Sequence, residues 1–375
     1  MIPEEPHDED PDIALLSVLR DDGSVDPATD PELSAETVMK GYREMRRVRA
    51  LDARMILLLR QGRVGFYDAA QGLEAVPIGA GLAVGADDWV FPAVREQSVM
   101  LIRGGSLRDF VAQVFGTAGD AQKGRQMPGH QASRAVHHVS GSSCVGSQLP
   151  QAVGAAWAMR ARRSPAVAVA FCGDGATSQA DFHVAMNFAG VWRVPCVLVC
   201  HNPHGSIGVA AEKPTASGTM RTIAVKARAY GIPGVRVDGS DLLAVVRVMT
   251  DALDRARSGG GPTFVEAVTR RTGARSTNDD PTRDGSDAQV DSSAHDDPLE
   301  RLRRYLVRLG LVSDASDAEL DAQLAAEIAD AIEAVEARPP LEGGSLVEDV
   351  YAEPPWNLRE QQVELQNARR RSRHE

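Results

Sequence analysis

Apolar residues recur along this chain at two alternating spacings, and each spacing predicts one kind of element. Ser34 is a suitable N-cap for a helix that ends at Gly62, because seven apolar positions between them recur at intervals of three and four: Met39, Tyr42, Met45, Val48, Leu51, Met55 and Leu58. We interpret this stripe as the face of the helix that packs into the core.

Further along the chain, short apolar runs alternate with helical segments. The runs predict strands at 88–91, 166–171, 195–200, 234–237 and 263–268. The predicted helices begin at about residue 96, cover 149–162, 179–190 and 242–258, and form a pair within 299–337. This alternation predicts an α/β fold with a central parallel sheet and helices on both faces. Ligands of such sheets bind at the carboxyl ends of the strands.

Three segments divide the chain by composition. Residues 1–33 are acidic and interrupted by prolines, which predicts a flexible arm or one that lies against a partner. Residues 34–355 form the predicted α/β domain, with a flexible polar loop at 276–297 that contains seven aspartates. Residues 356–375 form a charged tail that favours a helix.

The charge of the chain and its cysteines exclude several classes of protein. Residues 1–35 hold eleven acids and one arginine, so they carry nearly all of the net charge of −11 and leave a body near neutrality. We therefore expect no nucleic-acid partner. No apolar run is long enough to span a membrane, and the acidic start is unlike a signal or transit peptide. Four cysteines without a C-x-x-C pair favour reduced thiols in the cytoplasm over a zinc site: Cys144, Cys172, Cys196 and Cys200.

The stretch Phe171-Cys-Gly-Asp-Gly-Ala-Thr-Ser178 carries the main candidate chemistry. A predicted strand ends in Gly173-Asp174-Gly175, and Thr177 or Ser178 is expected to cap the helix that follows. A strand end, a glycine turn and a helix N-terminus present backbone N–H groups to an anion such as a phosphate.

The acidic residue in this turn points to a metal ion. The carboxylate of Asp174 would repel a bare phosphate, so a magnesium ion between the two is expected. Asn202 follows the neighbouring predicted strand and offers a further oxygen at the same end of the sheet. The alternative is that Asp174 is an ordinary turn residue.

Beyond this turn, several segments resemble one enzyme family over about residues 42–355. The chain is similar to the alpha subunit of thiamine-diphosphate-dependent 2-oxo acid dehydrogenases, the decarboxylating component, and most similar to the branched-chain type. The segments that carry the resemblance are Arg60-Gln-Gly-Arg-Val-Gly-Phe-Tyr67, Asp87-Asp-Trp-Val-Phe-Pro92, Arg95-Glu96, Gly124-Arg-Gln-Met-Pro128, Gln148-Leu-Pro-Gln-Ala-Val-Gly-Ala-Ala156 and Ser276-Thr-Asn-Asp-Asp-Pro281.

The resemblance implies a thiamine-diphosphate-binding fold and an enzyme shared between chains. Such an enzyme decarboxylates a 2-oxo acid oxidatively and passes the acyl group to a lipoyl domain. The alpha subunit holds the diphosphate and its magnesium, whereas a beta subunit supplies the activating glutamate within an α2β2 heterotetramer. The heterotetramer works with a lipoyl acyltransferase core. The resemblance implies neither a nucleic acid nor a membrane as a partner.

The resemblance also assigns roles to individual residues. It implies magnesium ligands at Asp174, Asn202 and the carbonyl of Gly205, and catalytic roles for His130 and Arg275. The diphosphate would be bound by Arg95, Ser143, Gly173, Gly175, Ala176, His201 and Arg275. A potassium ion would be bound by Ser142, Cys144, Ser147 and Gln148. The alternatives are a surface ion pair for Arg95 and a structural role for His130.

Several residues at the diphosphate end depart from the pattern of the family. Pro203 stands at a magnesium-binding asparagine, and Arg275 replaces a histidine that assists transfer to the lipoyl group. Val94 and His201 are further departures. A catalytically weakened or silent paralogue with an assembly or regulatory role is therefore a second hypothesis, and a pyruvate- or acetoin-type relative is a third. A nicotinamide-binding protein is disfavoured because the turn lacks G-x-G-x-x-G.

Overall fold

A computed structural model describes residues 13–204, 222–270, 297–339, 341, 343–348 and 351–372 of the 375-residue chain. Within them, six parallel strands form one sheet in the order β1-β5-β6-β4-β3-β2. The strands are β1 Leu15–Leu16, β2 Trp89–Phe91, β3 Ala168–Gly173, β4 Cys196–His204, β5 Gly234–Asp238 and β6 Thr263–Arg270. The predicted parallel α/β sheet is confirmed.

Helices connect these strands and extend the fold beyond the sheet. The described α-helices are α1 Ala35–Arg60, α2 Ala75–Ala83, α3 Ser98–Ile102, α4 Leu107–Phe115, α5 Gln148–Ala161, α6 Ala180–Trp192, α7 Leu242–Arg257, α8 Pro298–Arg308, α9 Asp314–Glu336 and α10 Trp356–Ser372. Helix α1 begins after Ser34, whose side chain accepts a hydrogen bond from the backbone N–H of Thr37, as its sequence predicts. No helix among the described residues is long and apolar enough to cross a membrane.

Each face of the sheet has its own hydrophobic core, because alternate residues of a strand point to opposite sides. Val169 and Phe171 of β3 pack with α1, α2 and α7. Ala170 and Cys172 pack with α5 and α6 on the other side. The prediction of helices on both faces is therefore correct.

Strands β3 and β4 end later than their apolar runs predict. Gly173 belongs to β3, and β4 continues to His204, four residues beyond the predicted end. The reason is the neighbouring β6, which also runs on to Arg270 and pairs with β4 as far as His204. His201 and Asn202 therefore lie inside a strand instead of in a loop after it.

The turn after β3 also differs from the prediction. Residues Asp174–Ser178 form a 3₁₀ turn, and α6 begins only at Ala180 after a Gln179 that makes no side-chain cap. The expectation that Thr177 or Ser178 caps α6 is wrong. The hydroxyl of Thr177 instead donates a hydrogen bond to the carbonyl of Asp174 at 2.7 Å, which tightens the turn.

The acidic N-terminal segment is attached to the body, so the predicted flexible arm is wrong for residues 13–33. Strand β1 pairs with β5 at the edge of the sheet, and Val18 and Leu19 are buried. The carboxylate of Asp241 accepts hydrogen bonds from the backbone N–H groups of Val18 and Leu19 at 2.7 and 2.6 Å. Residues 1–12 lie outside the described residues, as does the predicted loop 276–297 except for Asp297.

Candidate functional site

The candidate site lies where β3 and β4 end beside the segment that follows β2. Gly173 is paired with His201 across β3 and β4. Nδ1 of His201 lies 3.2 Å from Oε1 of Glu96, which brings the Arg95-Glu96 segment to the same edge of the sheet. Asp174 follows Gly173 directly. Residues from three separate parts of the chain therefore meet at the carboxyl ends of the strands, where ligands of parallel sheets bind.

The two glycines of the turn present bare backbone to open space. Gly173 has an ordinary extended backbone, with φ −85° and ψ 166°, and neither Gly173 nor Gly175 has a positive φ. A Cβ atom added at either position would meet none of the described residues within 4 Å. Backbone strain and packing against the described residues therefore do not account for these glycines. Glycine at such a position leaves room for a ligand to approach the backbone closely.

The turn is anchored from behind by Lys226. Its Nζ donates to the hydroxyl and the carbonyl of Thr177 at 2.9 and 3.2 Å. The same ammonium lies 5.9 Å from the centre of the Phe182 ring. Burial lowers the pKa of Lys226 below its usual value. A chain of hydrogen bonds therefore runs from Lys226 through Thr177 to the carbonyl of Asp174.

His201 and Glu96 form a buried pair, and each side chain has one polar atom without a hydrogen-bond partner among the described residues. The two side chains are only 5% and 3% exposed. Within the described part of the chain, His201 Nε2 and Glu96 Oε2 are buried without a hydrogen-bond partner. Such orphaned atoms are costly in a folded protein, and a missing ligand is a common explanation.

His130 and Ser143 come together, as expected for residues that share a cleft. Nε2 of His130 lies 2.9 Å from the hydroxyl of Ser143, and its Nδ1 lies 3.2 Å from Oε1 of Gln126. Burial lowers the pKa of His130 below its ordinary value, so the ring is mostly neutral at pH 7. A neutral imidazole can accept a proton at one nitrogen.

The four predicted potassium ligands lie on one short loop and on Gln148, the first residue of α5. The hydroxyl of Ser142 accepts from the backbone N–H of Cys144 at 3.2 Å and from the hydroxyl of Ser147 at 3.4 Å. Gln148 donates from Nε2 to the carbonyl of Phe171 at 2.6 Å. Its Oε1 is buried and has no partner among the described residues, as an oxygen reserved for a cation would be.

Asn202 is held by a carboxylate that the sequence analysis did not single out. Its Nδ2 donates to Oε1 of Glu266 at 2.8 Å, and Glu266 is fully buried on β6. The signal was present in the sequence, since Glu266 is the one acid in the apolar run 263–268 and a buried acid requires partners. Lys226 was also missed, and it carried no comparable signal.

The described residues fit a metal-bridged anion better than a metal bound only by side chains. They contain no group of three or more His, Cys, Asp or Glu side chains that could hold a metal ion. A magnesium ion here would therefore need Asp174, amide or backbone oxygens, and oxygens of the ligand itself. Gly205 and Arg275, predicted for the same site, lie outside the described residues.

Comparison with known proteins agrees with this geometry. The family model described as "Dehydrogenase E1 component" matches residues 42–343. The chain is 37% identical over 336 residues to the 2-oxoisovalerate dehydrogenase subunit alpha 2, mitochondrial, of Arabidopsis thaliana, covering 88% of this chain and 70% of the relative.

Two further relatives have similar names and longer coverage. The 2-oxoisovalerate dehydrogenase subunit alpha of Pseudomonas aeruginosa is 36% identical, and the match covers 94% of this chain and 87% of the relative. The mitochondrial subunit alpha of Homo sapiens is 35% identical, with 91% and 76% covered. Matches of this extent and identity leave the family in no doubt. The chain belongs to the family of dehydrogenase E1 components.

Proposed function

We propose that this chain is the alpha subunit of a branched-chain 2-oxo acid dehydrogenase that binds thiamine diphosphate through magnesium. The observation that carries the proposal is the open turn at Gly173-Asp174-Gly175, in a chain whose relatives are named 2-oxoisovalerate dehydrogenase alpha subunits. When bound, thiamine diphosphate would supply the carbon nucleophile and the electron sink for decarboxylation.

In this proposal the chain's own residues bind the diphosphate and orient it. The backbone N–H groups of Gly175 and Ala176 face the anion, and Asp174 and Asn202 contribute oxygens to the magnesium. The planar guanidinium of Arg95 suits phosphate oxygens. His201 offers Nε2, which has no hydrogen-bond partner among the described residues, at the same edge of the sheet.

His130 is the candidate for moving a proton. Its lowered pKa keeps the ring neutral, and Ser143 is within hydrogen-bond reach of Nε2. General acid–base help of this kind is worth about a hundredfold to ten-thousandfold in rate. Arg275 would add positive charge near the diphosphate, but an arginine does not exchange protons near neutrality.

A potassium ion at the loop of Ser142, Cys144, Ser147 and Gln148 belongs to the same proposal. The Oε1 atom of Gln148, which is buried without a partner in the described part of the chain, supports it. Such an ion would hold the loop that carries Ser143 against the start of α5.

We further propose that a beta subunit completes the site in an α2β2 heterotetramer that delivers acyl groups to a lipoyl acyltransferase core. The word "alpha" in the names of the relatives supports a partner chain. A cytoplasmic location is proposed as well. Its support is the bacterial relative, together with the four free cysteines of the structure, which suit a reducing compartment.

The test is to co-express the chain with its companion beta subunit and to measure release of carbon dioxide from branched-chain 2-oxo acids. We expect release that requires both thiamine diphosphate and magnesium. Pyruvate serves as the comparison substrate. Absence of release from every 2-oxo acid tried would refute the proposal.

The relatives described above give no support to a silent paralogue or to a pyruvate- or acetoin-type enzyme. The double variant Pro203→Asn with Arg275→His separates the silent hypothesis from the active one. An active enzyme should change its rate only modestly, whereas a silent chain should gain activity from none. Calorimetry with thiamine diphosphate and magnesium on the alpha–beta complex gives an independent measure of binding.

A further inference from the structure

We propose that Glu266 is a positioning residue that fixes the amide of Asn202 so that its oxygen faces the magnesium site. This inference rests on the proposed function. Pro203 stands at a magnesium-binding asparagine of the family and has no side-chain oxygen. Glu266 would explain how the neighbouring Asn202 supplies that oxygen instead. Neither the sequence pattern nor the names of the relatives assigns a role to Glu266.

The carboxylate of Glu266 is saturated by hydrogen-bond donors. Oε1 accepts from Nδ2 of Asn202 at 2.8 Å. Oε2 accepts from the hydroxyl of Thr222 and from the backbone N–H groups of Ile223 and Ala224 at 2.8 and 2.9 Å. The side chain is fully buried. A buried carboxylate with four donors around it is held in one orientation.

This arrangement determines which way the amide of Asn202 points. The nitrogen and oxygen of an amide are assigned from their hydrogen bonds, and an ionised carboxylate can only accept. The nitrogen of Asn202 must therefore face Glu266, and Oδ1 must face away from it. An asparagine without such a partner could present either end to a ligand.

The strand pattern places this oxygen on the same face of the sheet as the turn. Cys172 and Cys200 are register partners that both belong to the core under α5 and α6. Asn202 follows Cys200 by two residues within β4, and the side chains of a strand alternate between its faces, so Asn202 lies on this face. The turn after β3 lies on the same face, because its Ala176 belongs to the same core. His201, by contrast, contacts Glu96 on the opposite face. Because Gly173 pairs with His201, Asp174 and Asn202 each come one residue after this pair, at the carboxyl ends of β3 and β4.

Glu266→Gln tests the orientation directly. A glutamine has one oxygen, and three donors compete for it at the former Oε2 position. Its NH₂ group must then face position 202, which forces the amide of Asn202 to turn its own NH₂ toward the cation. We expect the affinity for Mn²⁺, used as the probe ion in the presence of thiamine diphosphate, to fall about 10- to 100-fold.

The reciprocal variant should restore binding. In Glu266→Gln combined with Asn202→Asp, the glutamine NH₂ donates to one carboxylate oxygen of residue 202 and leaves the other for the ion. Affinity is measured by electron paramagnetic resonance of free and bound Mn²⁺ on the alpha–beta complex. Thermal unfolding of each variant is recorded without ligand. The expected result is loss in the single variant and recovery in the double variant.

Asp88→Asn is the matched control. Asp88 is also a buried carboxylate with backbone donors, Gly85 and Val167, but it lies at the other end of the strands. This variant should lower the melting temperature and leave Mn²⁺ affinity unchanged. Should Glu266→Gln fail to assemble, Asn202→Ala provides the second measurement, and it must lose the same affinity.

Three outcomes overturn the inference. They are unchanged Mn²⁺ affinity in Glu266→Gln with a lowered melting temperature, no recovery in the double variant, or unchanged affinity in Asn202→Ala. A parent complex that binds neither thiamine diphosphate nor Mn²⁺ would refute the proposed function itself. The two failures are therefore distinguishable.

Discussion

Individual side chains at the site are held by partners that are themselves buried, in the case of Glu266 and Glu96, or half-buried, in the case of Lys226. Glu266 holds Asn202, Glu96 holds His201, and Lys226 holds Thr177. Residues that touch a ligand are more precise when their own orientation is fixed in this way. At the scale of the residue, the candidate site therefore depends on the side chains that hold its residues in place as much as on those residues themselves.

Gly173→Ala should separate stability from binding. The backbone at Gly173 suits alanine and the new Cβ meets no atom of the described residues within 4 Å, so we expect a gain of about 0.4–1 kcal/mol in the free energy of unfolding. The methyl group would occupy the space of the diphosphate and weaken thiamine diphosphate binding about tenfold or more. Calorimetry and thermal unfolding measure the two effects.

Gly154→Ala is the control for this pair of effects. Gly154 lies in α5, and a Cβ there also meets no atom within 4 Å in the part of the chain that the structure describes. The change should stabilise the helix by up to about 1 kcal/mol and leave binding unaltered. Equal cofactor affinity in Gly173→Ala and the parent would contradict the proposed binding of the diphosphate at the turn Gly173-Asp174-Gly175.

Asp52 should make stability depend on pH. Burial raises its pKa to about 7, against an ordinary value near 3.8, although Tyr67 and Ala70 donate hydrogen bonds to it. A raised folded pKa gives stability that is full below pH 4 and is lost as pH rises through 7. Between pH 4 and pH 8 the free energy of unfolding of the parent should therefore fall, relative to that of Asp52→Asn, by on the order of a few kcal/mol.

Thermal unfolding of both proteins at several pH values measures this difference. Asp251→Asn, at an exposed position of α7, is the control and should follow the parent at every pH. A constant difference between the parent and Asp52→Asn across the range would show that Asp52 does not titrate in this interval.

At the scale of elements, the 3₁₀ turn Asp174–Ser178 depends on a neighbour that is remote in sequence. Strand β3 ends at Gly173 and α6 begins only at Ala180, so the turn between them belongs to neither the sheet nor the helix. The segment Ala224–Tyr230, another 3₁₀ element, supplies Lys226 to hold it. The turn is thus part of the tertiary structure and not an extension of α6.

Lys226→Met should loosen this turn without removing much apolar volume. The methionine keeps contact with Phe182 but loses both hydrogen bonds to Thr177. At about 1 kcal/mol for a typical hydrogen bond, we expect thiamine diphosphate affinity to fall about five- to tenfold. Lys40→Met, on the exposed face of α1, is the control and should bind as the parent does.

At the scale of the whole molecule, the N-terminal segment closes the edge of the sheet. Strand β1 is short, but Asp241 and Arg301 tie the residues after it to α7 and α8. Arg301 also pairs with Asp238 at 2.6 Å. Edge strands that are short and covered are protected from pairing with other chains.

Asp241→Ala should weaken this closure strongly. It leaves the buried N–H groups of Val18 and Leu19 unpaired, and each should lower the free energy of unfolding by about 1–3 kcal/mol. It also removes the N-cap of α7, which should lower that free energy by about 1 kcal/mol more. Ser313→Ala removes only a cap, that of α9, and should cost about 1 kcal/mol.

Unfolding in denaturant compares the two variants with the parent. Trypsin provides a local measure, because Arg20 follows the anchored pair directly and lies on the surface. Cleavage after Arg20 should be faster in Asp241→Ala than in Ser313→Ala. Equal rates in the two variants would contradict the anchoring role of Asp241.

Much of the architecture could be predicted because it follows from local periodicity. The stripe of α1, its cap at Ser34 and the pair α8 and α9 appear where the apolar spacing places them. Strand ends were less predictable, since β4 extends to His204 only because β6 runs beside it. The cap expected at Thr177 failed because a distant lysine and the carbonyl of Asp174 engage that hydroxyl instead.

The sequence by itself determined the parallel α/β fold, the family and the turn at Gly173-Asp174-Gly175, because each depends on residues close together in the chain. Only the tertiary structure decided that residues 13–33 pack as an edge, and that Glu96 meets His201 and Glu266 meets Asn202. Those pairs join residues 105 and 64 positions apart. A local pattern cannot encode them, since the strand register of the folded sheet sets which side chains face each other.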